Sequence, residues 1–136
     1  MNVLLKNLEV ISINKGKIVK FYNKNEIKKF RSVQEIYFSY VKFNKVKAWK
    51  LNKIHNSILT VIVGRAKFVL FDNNFNFLKE IILTDRLPRS IYIPNNIWYG
   101  FKGLSRNQSL ICSVIDYKHN IKQQKKMELK KFNYKW

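Results

Sequence analysis

The stretch from Arg89 to Gly103 constrains the fold more than any other part of the chain. Its first half, Ser-Ile-Tyr-Ile-Pro, alternates isoleucines with other side chains, which is the period of a half-buried β-strand. Pro94 has no N–H to donate to a strand ladder, so this strand should end there. The pair Asn95-Asn96 tolerates left-handed backbone angles and predicts a tight turn. A second strand should follow, which would make the stretch a strand–turn–strand hairpin.

The return strand of this hairpin is rich in aromatic residues, namely Trp98, Tyr99 and Phe101. Trp98 and Tyr99 are adjacent on a predicted strand, so their side chains should point to opposite faces. One of the two must therefore face the interior of whatever the hairpin encloses.

Other segments repeat the pattern of short apolar strands separated by Asn and Gly turns. Strands are predicted over residues 33–43, 46–52, 57–63, 66–72, 75–83 and 108–115, with two shorter ones within 6–22. Turn signals such as Asn14-Lys15-Gly16 recur roughly every 8 to 12 residues. A total of about nine or ten strands with little helix predicts an all-β sandwich or jelly roll.

Two segments depart from the strand pattern. Asn25 should cap a short helical turn over residues 26–30, with Glu26 near its positive end. Residues 121–136 are polar and basic, and Met127 falls at helical spacing from the lysines at 130 and 131. This segment is predicted to be a short C-terminal helix or a loosely packed, solvated tail, with a nucleic-acid-binding arm as the alternative.

The chain has 136 residues, of which 46% are apolar, enough for one domain with a real core. We expect a single domain over 1–136, with its core at about 8–120 and a basic tail over 121–136. No apolar run approaches the roughly 18 residues of a membrane span, and no signal peptide is visible at the N-terminus. The lone Cys112, expected to be a buried small hydrophobe, agrees with a cytoplasmic protein without an internal disulfide.

The formal net charge of +19 is the most unusual feature of the composition. Such a charge is typical of proteins that bind nucleic acid or an anionic surface. The lysines are scattered along the whole chain, however, as codon bias in an A/T-rich genome would produce. Two interpretations stay open: the charge has no functional meaning, or it attracts a phosphorylated ligand such as a nucleoside diphosphate.

The segment Pro94-x-Asn96-x-x-Tyr99 resembles the second motif of the cupin superfamily, Pro-x-Gly-x-x-His. The stretch around it is similar to the Tyr-Ile-Pro-x-x-x-x-His-Gly-Phe segment of the dTDP-4-dehydrorhamnose 3,5-epimerases and the dTDP-sugar 3,4-ketoisomerases. Asn96 stands where the superfamily has Gly, and Tyr99 where it has His. The resemblance implies a cupin-type jelly roll (double-stranded β-helix) with an internal cavity, a short N-terminal arm that exchanges strands, and a homodimer.

An earlier segment, Lys47-Ala-Trp-Lys-Leu-Asn52, resembles the Arg-Gly-x-His-x-His pattern of the same family. Lys47 takes the place of the Arg, Lys50 that of the first His, and Asn52 that of the second. On a regular strand Lys50 and Asn52 share one face, whereas Lys47 lies on the other face with Trp49. Because the family's His positions point into the cavity, the resemblance implies that Lys50 and Asn52 do so too.

The end of the last strand reads Asp116-Tyr-Lys-His-Asn120. The epimerases read Thr-Asp-Tyr-Tyr here, with the second Tyr as catalytic acid, and Lys118 takes that place in this chain. His119-Asn120 is more similar to the Ile-x-His-Asp-Pro end of a subgroup of epimerase-like proteins. His119, with Asp116 nearby, is a candidate base pair, and His55 in the loop 53–56 is a further candidate for ligand contact.

The residues at the family's imidazole positions also bear on cofactors and chemistry. Lys50, Asn52 and Tyr99 are poor ligands for a transition metal, so we expect neither a metal nor another cofactor. Proton transfer next to a ketone needs a base, an acid and a stabilised enolate. Lys50 would be the base if burial or the neighbouring Lys47 and Lys118 lowered its pKa; otherwise Lys47 and Lys50 stay charged and hold phosphate or the enolate oxygen. Tyr99 is the candidate proton donor.

The resemblance implies a nucleotide-sugar epimerase or isomerase of surface polysaccharide synthesis, acting on a substrate of the dTDP-4-keto-6-deoxyhexose type. Both of the family's catalytic positions are substituted, so the question of turnover stays open. One alternative is a cupin that binds a nucleotide sugar without turnover, and another is a basic β-barrel that binds nucleic acid. The candidate catalytic residues are Lys50, Tyr99 and His119, and the candidate ligand-binding residues are Lys47, Asn52, His55, Trp98, Phe101, Asp116 and Lys118.

Overall fold

The structure is a computed structural model that describes residues 2–24 and 26–136. Within these ranges the regular elements are strands, apart from two short 3-10 turns at Ile121–Gln123 and Leu129–Lys131. The strands are β1 Leu4–Asn7, β2 Glu9–Ile13, β3 Gly16–Lys20, β4 Glu35–Val41, β5 Val46–Asn52, β6 Ser57–Val63, β7 Arg65–Phe71, β8 Phe77–Thr84, β9 Arg89–Ile93, β10 Trp98–Gly103, β11 Ser109–Ile115 and β12 Gln124–Lys126. The prediction of an all-β chain is therefore confirmed. No helix in the described ranges is long and apolar enough to cross a bilayer.

Two five-stranded antiparallel sheets pack face to face. The first sheet has the order β1-β9-β6-β11-β4, and the second sheet has the order β12-β5-β10-β7-β8. Strands β2 and β3 form a separate two-stranded hairpin. Two opposed antiparallel sheets with connections that pass from one to the other form a jelly roll, which is the predicted architecture.

Most consecutive strands change sheets instead of forming a hairpin, and the stretch 89–103 is the clearest case. β9 lies in the first sheet beside β6, whereas β10 lies in the second sheet between β5 and β7. The predicted hairpin is therefore wrong, although the turn is where it was expected and Asn96 has a φ of 64°. The physical reason is burial: Ile91 and Tyr99 enter one core from opposite sheets, which a hairpin within a single sheet would not allow.

The strands predicted over 66–72 and 75–83 form a hairpin that turns at Asp72, since β7 and β8 are antiparallel neighbours in the second sheet. The Asp72 carboxylate closes the turn by accepting hydrogen bonds from the backbone N–H groups of Asn74 and Asn76. These bonds, with one from the Asn76 side chain, lower the pKa of Asp72. Sequence and structure agree here because local hydrogen bonds close the turn.

The N-terminal part of the chain lies along the first sheet and then leaves it. β1, which was not predicted, pairs with β9, while the β2–β3 hairpin exposes all of its side chains. Phe30 is buried on the outer face of the first sheet against Ile58, Tyr92 and Val114. The segment before it contains a turn, closed by the Phe30 N–H and the Ile27 carbonyl at 3.0 Å, rather than a helix. The expected cap, Asn25, lies outside the described residues.

The C-terminal segment is neither a helix nor a loose tail, so this prediction is wrong. β12 pairs with β5 at the edge of the second sheet, and the chain after it returns across the outer face of that sheet. Phe132 is buried there among Trp49, Phe71 and Trp98. The outer face of the second sheet is aromatic and needs a cover, and this segment, which we call the C-terminal strap (residues 124–136), provides it.

The main core fills one end of the space between the sheets. It is built from alternate residues of both inner faces, including Leu59, Phe68, Ile91 and Ile111. Cys112 is buried, as expected, and burial raises the pKa of its thiol. At the other end of the space between the sheets, the inner faces carry polar side chains, and the two sheets do not pack against each other.

Candidate functional site

A cavity of about 580 Å³ opens between the two sheets beside the main core. The first sheet, the second sheet and the C-terminal strap each contribute to its wall. Its lining residues are Glu35, Tyr37, Ser39, Lys47, Ala48, Trp49, Lys50, Leu59, Tyr99, Phe101, Ser113, His119, Ile121, Gln124 and Lys126. A volume of this size is in the range of small-molecule ligand sites.

Strand β4 directs polar side chains into this cavity through its simple alternation. Glu35, Tyr37 and Ser39 are half-buried and point inward, whereas Ile36 and Phe38 between them are exposed on the outer face. This alternation is the one expected of a regular strand, such as the strand predicted over residues 33–43. The sequence did not reveal that the face with Tyr37 is the one that lines a site.

Strand β5 brings two lysines into the cavity because its alternation is interrupted. Lys50 pairs with Tyr99, and Lys47 pairs with Phe101. An advance of three residues along β5 therefore matches an advance of two residues along β10. This bulge turns both lysines toward the cavity together with their partners. The prediction that Lys50 faces inward holds, whereas the placement of Lys47 on the opposite face is wrong.

The Lys50 ammonium lies between two tyrosine rings at the inner end of the cavity. Its Nζ atom is 5.4 Å from the centroid of the Tyr99 ring and 6.0 Å from that of the Tyr37 ring. Tyr37 also shares hydrogen bonds with Lys50 and Ser113, and Tyr99 shares them with Tyr37 and Asn52. One cation and two phenols thus form a connected group, which we call the tyrosine–lysine cluster (Tyr37, Lys50 and Tyr99).

The two phenols of the tyrosine–lysine cluster are held in their protonated form. Burial raises the pKa of Tyr99 far above its usual value. Burial and then the neighbouring Tyr99 raise the pKa of Tyr37, while the Lys50 charge acts in the opposite direction with a smaller effect. At neutral pH both side chains are therefore proton donors and poor bases.

Positive charge exceeds negative charge around the cavity. Lys47, Lys50 and Lys126 line it, and none of them takes part in an ion pair with the described carboxylates. Glu35 is the one acidic side chain among the lining residues, and its Oε1 accepts the backbone N–H of His119 at 3.3 Å. Such a site favours a ligand with more than one negative charge.

His119 lies between this cavity and a neighbouring open cleft. The cleft has a volume of about 910 Å³ and is lined by Arg31, Asp116 and Lys118 among others, with His119 and Ile121 shared by both spaces. Lys118 therefore does not join Lys47 and Lys50 in one cavity, which corrects the expectation from the sequence. The side chain of His119 is exposed.

Asp116 holds three segments of the chain together. Its buried carboxylate accepts hydrogen bonds from the Arg31 side chain at 3.2 and 3.3 Å and from the backbone and side-chain N–H groups of Asn56 at 2.7 and 2.8 Å. Burial alone would raise the pKa of Asp116, but the hydrogen bonds from Arg31 and Asn56 outweigh it and lower that pKa. The suggested base pair of His119 and Asp116 thus gives way to a structural role for Asp116.

Two other predicted ligand contacts lie outside the cavity wall. His55 is buried, and its Nε2 has no hydrogen-bond partner within the described ranges. Desolvation, followed by the charge of Lys50, lowers the pKa of His55 to about 4, so the imidazole is neutral at pH 7. Trp98 points to the outer face of the second sheet, where it contacts Phe75 and Phe132, so Tyr99 is the residue of that pair that faces inward.

Asn52 lies at the edge of the tyrosine–lysine cluster rather than on the open wall. It is buried, it shares a hydrogen bond with Tyr99, and its Oδ1 accepts the Gln124 side chain at 3.4 Å. The ring of Phe101 is buried against the Phe68 ring and lines the cavity. Asn52 therefore contacts the tyrosine–lysine cluster, and Phe101 forms part of the cavity wall.

The residues at the cupin metal positions do not form a metal site in this chain. An ammonium at position 50 repels a cation, and amide and phenol oxygens are weak ligands for transition metals. In addition, no three His, Cys, Asp or Glu side chains converge anywhere in residues 2–24 and 26–136.

Comparison with known proteins places this architecture among solved structures. No protein-family model matches the chain, and no curated protein sequence matches it either. A dTDP-sugar isomerase from Desulfovibrio desulfuricans superimposes with a TM-score of 0.89 over 98% of this chain and 90% of the other, at 24% identity.

Two further structures share the fold at lower identity. The first is a dTDP-6-deoxy-D-glucose-3,5-epimerase from Legionella pneumophila in complex with dTDP-4-keto-L-rhamnose, with a TM-score of 0.85, 12% identity, and coverage of 93% of this chain and 73% of that one. The second is a sugar 3,4-ketoisomerase from Thermoanaerobacterium thermosaccharolyticum in complex with TDP, with a TM-score of 0.77, 17% identity, and coverage of 90% and 86%. The chain thus has the cupin jelly-roll fold that dTDP-sugar epimerases and isomerases share.

Proposed function

We propose that this protein binds a nucleotide sugar in the cavity and catalyses epimerisation or isomerisation next to a ketone of the sugar. The observation that carries the proposal is the tyrosine–lysine cluster, where an ammonium meets two protonated phenols at the closed end of a cationic cavity. The fold is shared with enzymes of this class, including one solved with a dTDP-keto sugar and one with TDP. A dTDP-4-keto-6-deoxyhexose is the substrate type that we propose.

The charge of the cavity supports a diphosphate ligand. Lys47, Lys50 and Lys126 approach one space with a single carboxylate, Glu35, on its wall. Like charges at short range repel one another, and a bound anion relieves this repulsion. A nucleoside diphosphate carries enough negative charge for this role, and its neutral sugar can reach the polar inner end.

The chemistry that we propose begins with removal of a proton from the carbon beside the ketone. His119 at the cavity rim acts as the base and takes this proton, and Glu35, which binds the His119 backbone, positions it. The C–H electron pair forms a carbon–carbon double bond, and the carbonyl π electrons move to the oxygen. The product is an enolate with its charge on that oxygen.

Lys50 stabilises the enolate, and Tyr37 returns a proton. The Lys50 ammonium lies near the rings of Tyr37 and Tyr99, and a cation is attracted to the face of an aromatic ring. This ammonium binds the enolate oxygen, in agreement with the second of the two roles considered for Lys50. The Tyr37 hydroxyl then protonates carbon and recovers its proton through Lys50 and solvent, while the protonated His119 releases its proton to solvent, which completes the cycle.

Solvent exchange tests this proposal. The protein is incubated with dTDP-4-keto-6-deoxyglucose in deuterated water, and the sugar is followed by NMR. We expect deuterium at carbon 3 or carbon 5, and stabilisation of the protein by dTDP in a thermal shift assay. Stabilisation by dTDP without any exchange would instead favour a binding protein without turnover. Salt-dependent retention of oligonucleotides, with no effect of dTDP, would favour the basic β-barrel that binds nucleic acid.

We further propose that the protein is a homodimer. The outer face of β4 exposes Ile36, Phe38 and Tyr40, each to more than half of its surface area, and this strand lies at the edge of the first sheet. The β2–β3 hairpin exposes apolar side chains as well, and a two-stranded hairpin is marginally stable alone. A second copy would cover both surfaces. Light scattering after size exclusion should give the mass of two chains, and the mass of one chain would refute the dimer.

A role in surface polysaccharide synthesis stays a prediction from the resemblance, and it depends on the substrate that the exchange experiment tests. A cytoplasmic location stays a prediction from the single Cys112.

A further inference from the structure

The register between β12 and β5 determines which strap residues face the site. Gln124 pairs with Asn52, Lys125 with Leu51, and Lys126 with Lys50. Directly paired residues of antiparallel strands place their side chains on the same face of a sheet. Lys126 therefore lies beside Lys50 at the cavity, where it is one of the lining residues, and Lys125 lies on the opposite face with Leu51.

The strap is fixed in this register by backbone hydrogen bonds to β5 and by side-chain contacts on the other face of the sheet. The backbones of Trp49 and Met127 exchange both N–H to carbonyl hydrogen bonds at 3.1 Å, and the Trp49 indole N–H donates to the Leu129 carbonyl at 3.1 Å. The Trp49 ring also packs against Phe132, with ring centroids 4.5 Å apart, and against Trp136 at 5.3 Å. These contacts hold the segment against slippage by one residue, which would exchange the faces of Lys125 and Lys126.

We propose that the C-terminal strap is part of the ligand site and that Lys126 binds the anionic diphosphate group of the ligand. Lys126 has no carboxylate partner within the described ranges, and it is paired with a second ammonium, Lys50. Two adjacent cations open to one cavity repel each other, and an anionic group bound at Lys126 relieves this repulsion. Lys126 then determines specificity, because it favours nucleotide sugars over uncharged sugars. The packing of Trp49 against Phe132 and Trp136, which we call the aromatic anchor, keeps Lys126 in place. This inference rests on the proposed nucleotide-sugar function.

The test compares two neutralising variants of adjacent lysines, Lys126→Gln and Lys125→Gln. Each removes one charge from the same strand, so long-range effects of net charge are matched between them. The dissociation constant for dTDP is measured by calorimetry with the full chain, at two salt concentrations. We expect Lys126→Gln to weaken binding about tenfold and to reduce the salt dependence, and Lys125→Gln to change binding less than about twofold.

A third variant, Phe132→Ala, tests the role of the aromatic anchor. Releasing the strap should weaken dTDP binding about as much as Lys126→Gln does, and combining the two changes should add little further loss, because both remove the same contact. Equal affinities of Lys126→Gln and Lys125→Gln would overturn the inference while leaving the proposed function in place. Absence of dTDP binding by the unmodified protein would overturn both.

Discussion

The two faces of the second sheet show how one pair of strands serves two purposes. β5 contributes Lys50 to the inner face and its neighbour Trp49 to the outer face, and β10 contributes Tyr99 and Trp98 in the same way. On the outer face the indole rings are covered by the C-terminal strap. On the inner face the ammonium and the phenols border an open cavity.

The two faces differ in the polar and charged groups that each leaves without a partner. Trp49 is 1% exposed and its N–H has a partner, whereas the buried N–H groups of Trp98 and Trp136 have none within the described ranges, so the outer face is apolar and covered by the chain itself. The inner face has three lysines without ion-pair partners among the described residues, and in the proposed function the ligand balances their charge. Changes on the outer face should reduce stability, and changes on the inner face should reduce function.

The largest expected effect is on the outer face, from Trp49→Ala. This change removes a buried ring that packs against Phe71 and Phe132 and leaves a cavity, so the free energy of unfolding should fall by about 3 to 5 kcal/mol. Chemical denaturation measures it. Leu87→Ala, at an exposed loop residue, should cost less than about 0.5 kcal/mol. Similar losses for the two variants would contradict the importance of the covered face.

The next effect concerns His55, which lies behind the inner face. Burial, and then the Lys50 charge, lowers its pKa from 6.5 to about 4. Above pH 6.5 the imidazole is neutral in both the folded and the unfolded chain, so its contribution to the free energy of unfolding does not change with pH. Between pH 6.5 and 4 the unfolded chain binds a proton that the folded chain does not, so stability falls by up to about 3 kcal/mol. Urea denaturation at a series of pH values should show this slope.

The two histidines of the chain provide the control for this measurement. His55→Asn should remove most of the slope between pH 6.5 and 4.5, whereas His119→Asn at the exposed position should retain it. Asp116, whose pKa is lowered by Arg31 and Asn56 despite its burial, loses its contribution at more acidic pH and affects this window less. A slope that persists in His55→Asn would show that another group carries it.

On the inner face, Lys50→Ala should affect function more than stability. Loss of the ammonium that holds the enolate should lower the deuterium exchange rate about a hundredfold or more. The melting temperature should change little, because Lys50 is only half-buried and its removal ends the repulsion between the Lys50 and Lys126 ammonium groups. The exposed Lys79→Ala serves as the control. An unchanged exchange rate in Lys50→Ala would remove the tyrosine–lysine cluster from the mechanism.

Much of this contrast could be predicted from local sequence patterns. The apolar pattern located the strand within residues 33–43 that becomes β4, and the turn residues located the corner at Asn96 correctly. The alternation rule also placed Lys50 and Trp49 on opposite faces, as the structure does. These features depend on interactions between residues close in sequence, which a single chain displays directly.

Features that depend on distant segments could not be predicted in this way. The position of Lys47 depends on a bulge whose partner, β10, lies about 50 residues away in sequence. The strap was mistaken for a helix because its periodicity is weak, and the aromatic surface that orders it comes from β5, β7 and β10. Lys126 and Gln124 therefore had no sequence signal as site residues.

The smallest expected effect comes from Lys67, which lies at the outer face of the second sheet. Its Nζ atom is 5.3 Å from the Tyr134 ring centroid and 5.6 Å from that of Trp136, and 3.4 Å from a Glu80 oxygen. Lys67→Met keeps the aliphatic stem but removes the cation, so stability should fall by about 0.5 to 1 kcal/mol. Because these rings end the strap that carries Lys126, dTDP affinity should fall slightly in parallel, by less than about threefold. A loss of affinity as large as that of Lys126→Gln, without a loss of stability, would show that the strap is connected to the site by contacts other than its aromatic anchor.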